Sequence, residues 1–508
     1  MQRDEDQPPL ATLPSDPSRV NARRRADFSL YFVLLATAGF LLARIPVIPV
    51  RIFDPDEFQH SHAAWCVWKG MVPYKDFFEH HTPWYYYALR PFFHWFDVAG
   101  SFESARHFLS FGRGLSLVLT VVSVLLVIQI GRLLENRSVG LLAGLLLVSQ
   151  PVFFQKTLEI RPDVLALPFF LGGLCFLLRG LASSPDGATS RFRRFLGGGL
   201  CLGAAIMCTQ KMLFVLPGLL AGLGIWSLFA GSHSTTQAGP RSRMLSTAAF
   251  LLGLGVPATL TWAAFALHHG GGEFIANNFL INSRWTRAVG EQLIRVLEGS
   301  WPVLVLSLLG ASAFLYRCFR SEPREYGGFL LSCTLLGLIA GILVVPVAHR
   351  QYYLMPIPIA CLFAAKGVYF LVERAREPAR AWLLVLATLP LLVLPILGLR
   401  EAFTEPNDHQ LARLRQVFEL TGPTDLVMDG WEGTGVFRPH AFYYYFLHDE
   451  SVTMLPRERV NAYLDDLESG KVRPKLIAMD EHLVTLGSRF LRFVNRSYVS
   501  HDGLFLLK

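Results

Sequence analysis

The sequence predicts an α-helical polytopic membrane protein of about eleven transmembrane helices, with a small extracytoplasmic α/β domain at its C-terminal end. Three observations lead there. Of the 508 residues 52% are hydrophobic and the mean hydropathy is +0.37, more apolar surface than a soluble globule buries. Predominantly apolar runs long enough to cross a bilayer recur between short polar connectors as far as residue 400. Beyond it Pro, Asp and Glu become frequent and the apolar runs become short.

Taken in order, residues 1–27 are polar and carry the cluster Arg23-Arg24-Arg25 just ahead of the apolar run 28–48. That run is long enough to span and lacks a small-residue cleavage site, so it reads as a retained helix behind a cytoplasmic N-terminal tail, 1–27. Further spans fall at roughly 104–131, 138–154, 163–178, 195–209, 212–231, 244–267, 301–316, 325–347, 352–373 and 381–400. They make residues 28–400 one transmembrane domain, with a long first outer loop at 49–103. Eleven crossings from a cytoplasmic start leave residues 401–508 outside. There Leu426-Val427-Met428, Leu476-Ile477-Ala478-Met479 and Leu504-Phe505-Leu506-Leu507 alternate with polar helical stretches, which suits an independent unit of about 100 residues.

Charge provides a separate test of this topology, because cytoplasmic connectors carry an excess of Lys and Arg. The segments assigned inside hold 19 such residues in 76 positions, and those assigned outside before the tail hold 11 in 102. The bias sets the first loop, the connector before Asp163 and the tail on one extracytoplasmic side, as expected of a multi-pass protein of the cell (inner) membrane. The net charge of +8 is therefore a topology signal and no nucleic-acid partner is expected. The seven cysteines show no metal-like spacing among themselves and suggest no disulfide framework.

The first loop is where polar chemistry concentrates. Between residues 49 and 82 lie five carboxylates (Asp54, Asp56, Glu57, Asp76, Glu79) and four histidines, in a chain only 17% charged. Asp56 and Glu57 are adjacent, so on a helix they diverge by about 100° and only one faces a substrate squarely. That one can take a proton from an acceptor hydroxyl or amine, and the other can hold a neighbour in place. Solvation of a loop is the plainer account of such a pair. A second set of acids stands where burial is costly: Glu159-Ile160-Arg161-Pro162-Asp163 opens the fourth span. Pro162 fits a first helical turn, and Asp163 there is either functional or an electrostatic cap.

Cations recur on the same side. Lys211 separates the fifth and sixth spans, and His349-Arg350 precedes Gln351-Tyr352-Tyr353 at the tenth. Each is either a snorkelling anchor or part of a site in which cations hold an anionic headgroup beside a carboxylate base. Arg113, about two turns inside the second span, faces a polar cavity or pairs with an acid. The aromatic residues that follow the acids, Trp84 to Tyr87 and Phe92 to Phe96, form an interfacial belt or line a lipid-tail groove.

These residues resemble the polyprenyl-phosphate-sugar-dependent membrane glycosyltransferases of the GT-C superfamily, particularly the protein O-mannosyltransferase and lipid A aminoarabinose transferase branch. The resemblance rests on Pro55-Asp56-Glu57, on Gly70 with Pro73-Tyr74, and on Glu79-His80-His81-Thr82-Pro83. It extends to Arg113, Arg161-Pro162-Asp163, Lys211, and Arg350 with Tyr353 and Pro356-Ile357-Pro358. It implies transfer of a sugar from a polyprenyl-phosphate donor to a protein, lipid or glycan acceptor by inverting displacement on the extracytoplasmic side. Asp56 would be the general base with Glu57 supporting it, and Asp163 would orient substrate groups. Lys211, Arg350, Tyr353 and Arg113 would hold the donor phosphate, and Glu79, His80 and His81 would support the first loop. No cofactor is implied; a divalent ion on Glu57, Glu79, His80 and His81 is the variant of this reading. Where the lipid A branch has a lysine after the acidic residue of this loop, this chain has His80 and His81. The competing class is a transporter or flippase for a lipid-linked sugar, against which stand the absence of an internal repeat and the one-sided placement of the polar residues. Acceptor surfaces suggest themselves at 268–300, with Asn277, Asn278, Asn282, Arg284 and Arg287, and at Asp429-Gly430-Trp431-Glu432.

Overall fold

Proline opens much of this structure, because a first helical turn has no use for the amide hydrogen that proline lacks. The computed structural model describes residues 31–182, 187–229, 239–281, 291–320, 326–345, 349–375, 393, 396–401 and 403–508. Helix α1 (Tyr31–Val47) leads into a first loop that carries α2 (Pro55–Trp68) and α3 (Trp84–Leu89). There follow α4 (Phe102–Leu134), α5 (Arg137–Val148), α6 (Pro151–Lys156), α7 (Pro162–Leu181), α8 (Ala188–Cys208), α9 (Val215–Phe229) and α10 (Pro240–Leu267). The series closes with the short α11 (Gly271–Ile275), then α12 (Glu291–Phe319), α13 (Tyr326–Val344) and α14 (Pro356–Arg374). Prolines stand at the start of α2, α6, α7, α10 and α14.

Seven helical segments among the described residues are long and apolar enough to cross a membrane: α4, Gln210–Leu228 around α9, α7, α10, Ser300–Phe319 of α12, α13 and α14. The chain is a multi-pass membrane protein. Helix α8 packs between α7 and α10, yet Arg191, Arg193 and Arg194 in its first two turns make it less apolar than they are. The expected single span 138–154 is instead two helices, α5 and α6, because Pro151 starts a new helix after Ser149-Gln150. The expected first span is represented by α1. Most of the expected last span, 381–400, and the N-terminal tail lie outside the described residues, as do Asn282, Arg284 and Arg287.

Bundle contacts run α4 to α5 and α7, α9 to α13, and α12 to α14. Where α9 meets α13 the backbones approach so closely that a Cβ on Gly218 would strike the Cys333 carbonyl, so only glycine fits.

The C-terminal part folds as a four-stranded sheet with helices, in the strand order β1-β2-β4-β3. Strand β1 (Val427–Asp429) runs parallel to β2 (Leu476–Ala478), and β4 (Leu504–Leu507) runs antiparallel to both β2 and β3 (Tyr498–His501). Three of the strands are the apolar runs the sequence marks. The fourth, β3, pairs with β4 through Asp502-Gly503, whose φ values of 51° and 76° are those of a two-residue hairpin turn.

This part rests on the first loop. Ile52 N donates to Glu405 O at 2.9 Å, Asn407 N to Val50 O at 2.9 Å and Phe78 N to Tyr443 O at 2.9 Å. One apolar cluster joins Phe58, Tyr86 and Phe108 to Leu414, Phe437 and Phe446. Gly433 lies against Phe58 with φ 76°, and any Cβ there would collide with the Phe58 ring. The first loop is thus packed between the helical bundle and the C-terminal sheet.

Candidate active site

The acids of the first loop are arranged by the start of α2. Asp54 caps the helix: its Oδ1 accepts from Asp56 N at 3.1 Å, and Asp54 N donates to Glu57 Oε1 at 3.1 Å, which makes a reciprocal capping box. Asp56 and Glu57 then diverge as neighbours on a helix must. The Asp56 side chain is 26% exposed, whereas Glu57 is fully buried.

Burial commits Glu57 to structure. Its two oxygens take Arg113 Nε at 2.9 Å, Arg113 Nη2 at 2.6 Å and Ile160 N at 3.1 Å. Arg113 completes its set with Nη1 to the carbonyls of Ile48 (3.0 Å) and Arg51 (2.7 Å) and Nη2 to that of Ile52 (2.9 Å), its guanidinium lying 3.8 Å from the Phe53 ring centroid. All five of its N–H groups are taken. Arg113 thus pairs with an acid, one of the two placements its position in the sequence suggests, and clamps α4 to the entry of α2 with Glu57 buried beneath it.

Asp56 faces a different environment. Its Oδ2 accepts from Arg161 Nη2 at 2.7 Å, and its Oδ1 has no hydrogen-bond partner among the described residues. Arg161 caps α7 and also reaches Asp54 Oδ1 at 3.2 Å and Glu159 Oε2 at 2.7 Å. Lys156, at the end of α6, bonds Asp54 Oδ2 at 2.7 Å and both Glu159 oxygens at 3.0 and 3.1 Å. Burial works to raise the Asp56 carboxyl, but Arg161 and then Lys156 outweigh it and hold the group well below the usual carboxylate range.

Beyond Arg161 the network continues along α7. Asp163 is buried and meets Lys211 Nζ at 3.3 and 3.2 Å, and Lys211 lies 5.0 Å from the Tyr352 ring centroid. Arg350 donates to Gln155 Oε1 at 3.1 Å, one residue from Lys156. Tyr353 is buried, its hydroxyl without a partner among the described residues. Asp56, Asp163, Lys211, Arg350 and Tyr353 therefore gather at one end of the bundle. Sequence reasoning passed over Lys156, Arg51 and Gln155. The available signal was Lys156 set three residues ahead of Glu159 between two apolar runs.

Glu79, His80 and His81 lie beside this network: the His81 ring interacts with the charges of Lys211, Asp163, Asp56 and Arg161, and Gln210 Nε2 donates to His80 O at 2.7 Å. Glu79 Oε1 accepts from His80 N (2.9 Å), His81 N (3.0 Å) and His81 Nδ1 (2.8 Å). With Nδ1–H on Glu79, the Nε2 of His81 is left as an acceptor. Burial pushes the His81 ring down to about 3 and the His80 ring well below its usual value, so both are neutral near pH 7. His60, Glu79 and His81 bring ligand atoms within 4.8 Å of one another and form one of two groups able to hold a metal ion among the described residues.

An apolar groove of about 900 Å³ opens one turn along α7 from Asp163, lined by Trp84, Tyr87, Leu165, Phe169 and Phe265. Trp84 is held there by its Nε1 bond to Thr261 at 2.8 Å. Of the tail residues, Asp429 accepts from Gly433 N, Thr434 Oγ1 and Gly435 N (3.2, 2.8 and 2.8 Å), so it shapes a turn. Burial pushes its carboxyl up to about 6.

Residues 81–262 match a family model described as dolichyl-phosphate-mannose-protein mannosyltransferase. No curated protein matches the chain in sequence. Among solved structures, ArnT from Cupriavidus metallidurans in the apo state superposes with a TM-score of 0.66 at 13% identity, covering 94% of this chain and 98% of that one. The same enzyme bound to undecaprenyl phosphate gives 0.62 at 12% identity, covering 93% and 97%. The archaeal oligosaccharyltransferase AglB from Archaeoglobus fulgidus, in complex with an inhibitory peptide and a dolichol-phosphate, gives 0.54 at 11% identity, covering 89% and 69%. These likenesses show that the chain shares the fold of these proteins.

Proposed function

We propose, with the GT-C architecture as premise, that this chain transfers a sugar from a polyprenyl-phosphate donor to a hydroxyl- or amine-bearing acceptor on the extracytoplasmic side. The observation that carries the reading is Asp56, whose Oδ2 is anchored by Arg161 while Oδ1 stands unbonded in a half-open position. The acceptor's proton passes to Asp56 Oδ1, the acceptor atom bonds the anomeric carbon, and the bond from that carbon to the phosphate oxygen breaks with inversion. The lipid phosphate leaves.

Charge supports the donor class. Lys156 and Arg161 bridge Asp54, Asp56 and Glu159, and Lys211 and Arg350 add two further cations, so a phosphate finds several partners of opposite charge. Arg350, bonded through a neutral amide oxygen, is the cation best placed to turn to a phosphate, with Lys211 and the Tyr353 hydroxyl beside it. The groove lined by Trp84 and Phe169 offers an apolar bed for a lipid tail. Arg350→Gln is expected to raise KM for the lipid donor about tenfold or more with kcat little changed, the loss of one charge-assisted hydrogen bond.

The test is a donor assay with the purified full-length chain. Undecaprenyl- and dolichyl-phosphate sugars are supplied in detergent, and lipid phosphate released is compared with sugar transferred. Equal amounts support transfer; movement of lipid-linked sugar across vesicles without release would establish the flippase instead. A pH profile adds a second check. Because Arg161 and Lys156 hold Asp56 below the usual range, it stays ionised through the physiological range and the rate should be flat on the acid side to about pH 5. Arg161→Gln removes the leading opposition to burial, so the carboxyl rises and an acid limb should enter the measured range.

A further inference from the structure

On the opposite end of α2 from Asp56, three side chains outside this network converge. His62 and Cys66 are four residues apart, which sets them on one face of the helix. His440 comes to them from the C-terminal part, 378 residues from His62. His62 Nε2 lies 2.9 Å from His440 Nδ1, and Cys66 Sγ lies 3.4 Å from His62 Nε2 and 3.8 Å from His440 Nδ1.

We propose that His62 Nε2, Cys66 Sγ and His440 Nδ1 bind a zinc ion that joins α2 to the C-terminal part. Zn–N of about 2.0–2.1 Å and Zn–S of about 2.3 Å in a tetrahedron place two nitrogens about 3.3 Å apart and sulfur about 3.6 Å from each, so the sulfur already stands at the required distance and the two rings part by about 0.4 Å as the ion enters. The orientation of His62 suits it too. Its Nδ1 contacts Val436 O at 2.7 Å, so that nitrogen carries the proton and Nε2 presents a lone pair to the centre. His62 Nε2 and His440 Nδ1, 2.9 Å apart, share either a single proton or a cation.

Mixed nitrogen and sulfur donors with no carboxylate select zinc over magnesium or calcium. Cys66 and His62 are buried at 0% and 4% exposure, and His440 is partly exposed and offers an entry path. A cavity of about 30 Å³ lined by Gln59, His62, His440 and Tyr445 has room for one water as a fourth ligand. Zinc binds with loss of the Cys66 thiol proton to solvent, with no change of oxidation state.

The full-length protein, purified in detergent without chelators and assayed for metal, is expected to hold about one zinc per chain, most of it lost in Cys66→Ser and His440→Gln. The His81→Ala variant, in the other histidine group, should retain it. Cobalt added to zinc-depleted protein should give a thiolate-to-metal charge-transfer band that Cys66→Ser lacks. This readout uses the wild-type chain and does not depend on the variants being stable. Wild-type protein that holds no zinc and gives no thiolate band overturns the proposal. So does zinc lost from His81→Ala and kept by Cys66→Ser.

Discussion

Asp56→Asn should abolish most sugar transfer, by about 10²–10⁴-fold, the range a positioned general base contributes, while expression and melting temperature stay near those of the parent. The amide has the shape of the acid and its oxygen still accepts from Arg161, which also keeps Glu159 and Asp54 as partners. What it loses is the ability to take a proton at Oδ1. Transfer of labelled sugar in membranes, read beside thermal denaturation of the purified variant, separates chemistry from folding. Transfer at the parental rate would remove Asp56 from the role of base.

Arg113→Met is expected to do the reverse, costing about 3–5 kcal/mol of stability because it leaves a buried carboxylate without its counter-charge. Glu57 is fully buried with Arg113 at 2.6 Å, and the carbonyls of Ile48, Arg51 and Ile52 lose their donor at the same time. Thermal denaturation in detergent checks the loss. Adding Glu57→Gln removes the uncompensated charge and should restore part of it. An Arg113→Met protein of parental stability and raised donor KM would place Arg113 in the phosphate-binding set.

How much of this was legible in the sequence depended on distance. Membrane class, the short strands at Val427, Leu476 and Leu504, and the proline-opened helix at Asp163 follow from local pattern, which period and turn chemistry carry directly. The divergence of Asp56 and Glu57 follows from helical geometry alone. Pairing is another matter. Nothing local tells that Arg113 finds Glu57, or that Lys211 finds Asp163 across 48 residues of sequence. Arg113 looked equally suited to a phosphate because a buried guanidinium is satisfied by either kind of oxygen. The break at Ser149-Gln150 was hidden because hydropathy continues through Pro151 into Val152 and Phe153. Spacing among the cysteines pointed away from a metal; the partners of Cys66 are histidines, one of them in the tail.

The seating of the sheet domain against α2 has an engineering corollary. Since Gly433 leaves no room beside Phe58 and Arg438 reaches back to Ala99 O at 2.8 Å, the last hundred residues act as a splint for the helix that presents Asp56. Grafting a foreign tail onto this membrane core would misalign the carboxylate before it altered the choice of acceptor. Chimeras built at residue 400 should therefore carry their own first loop with them.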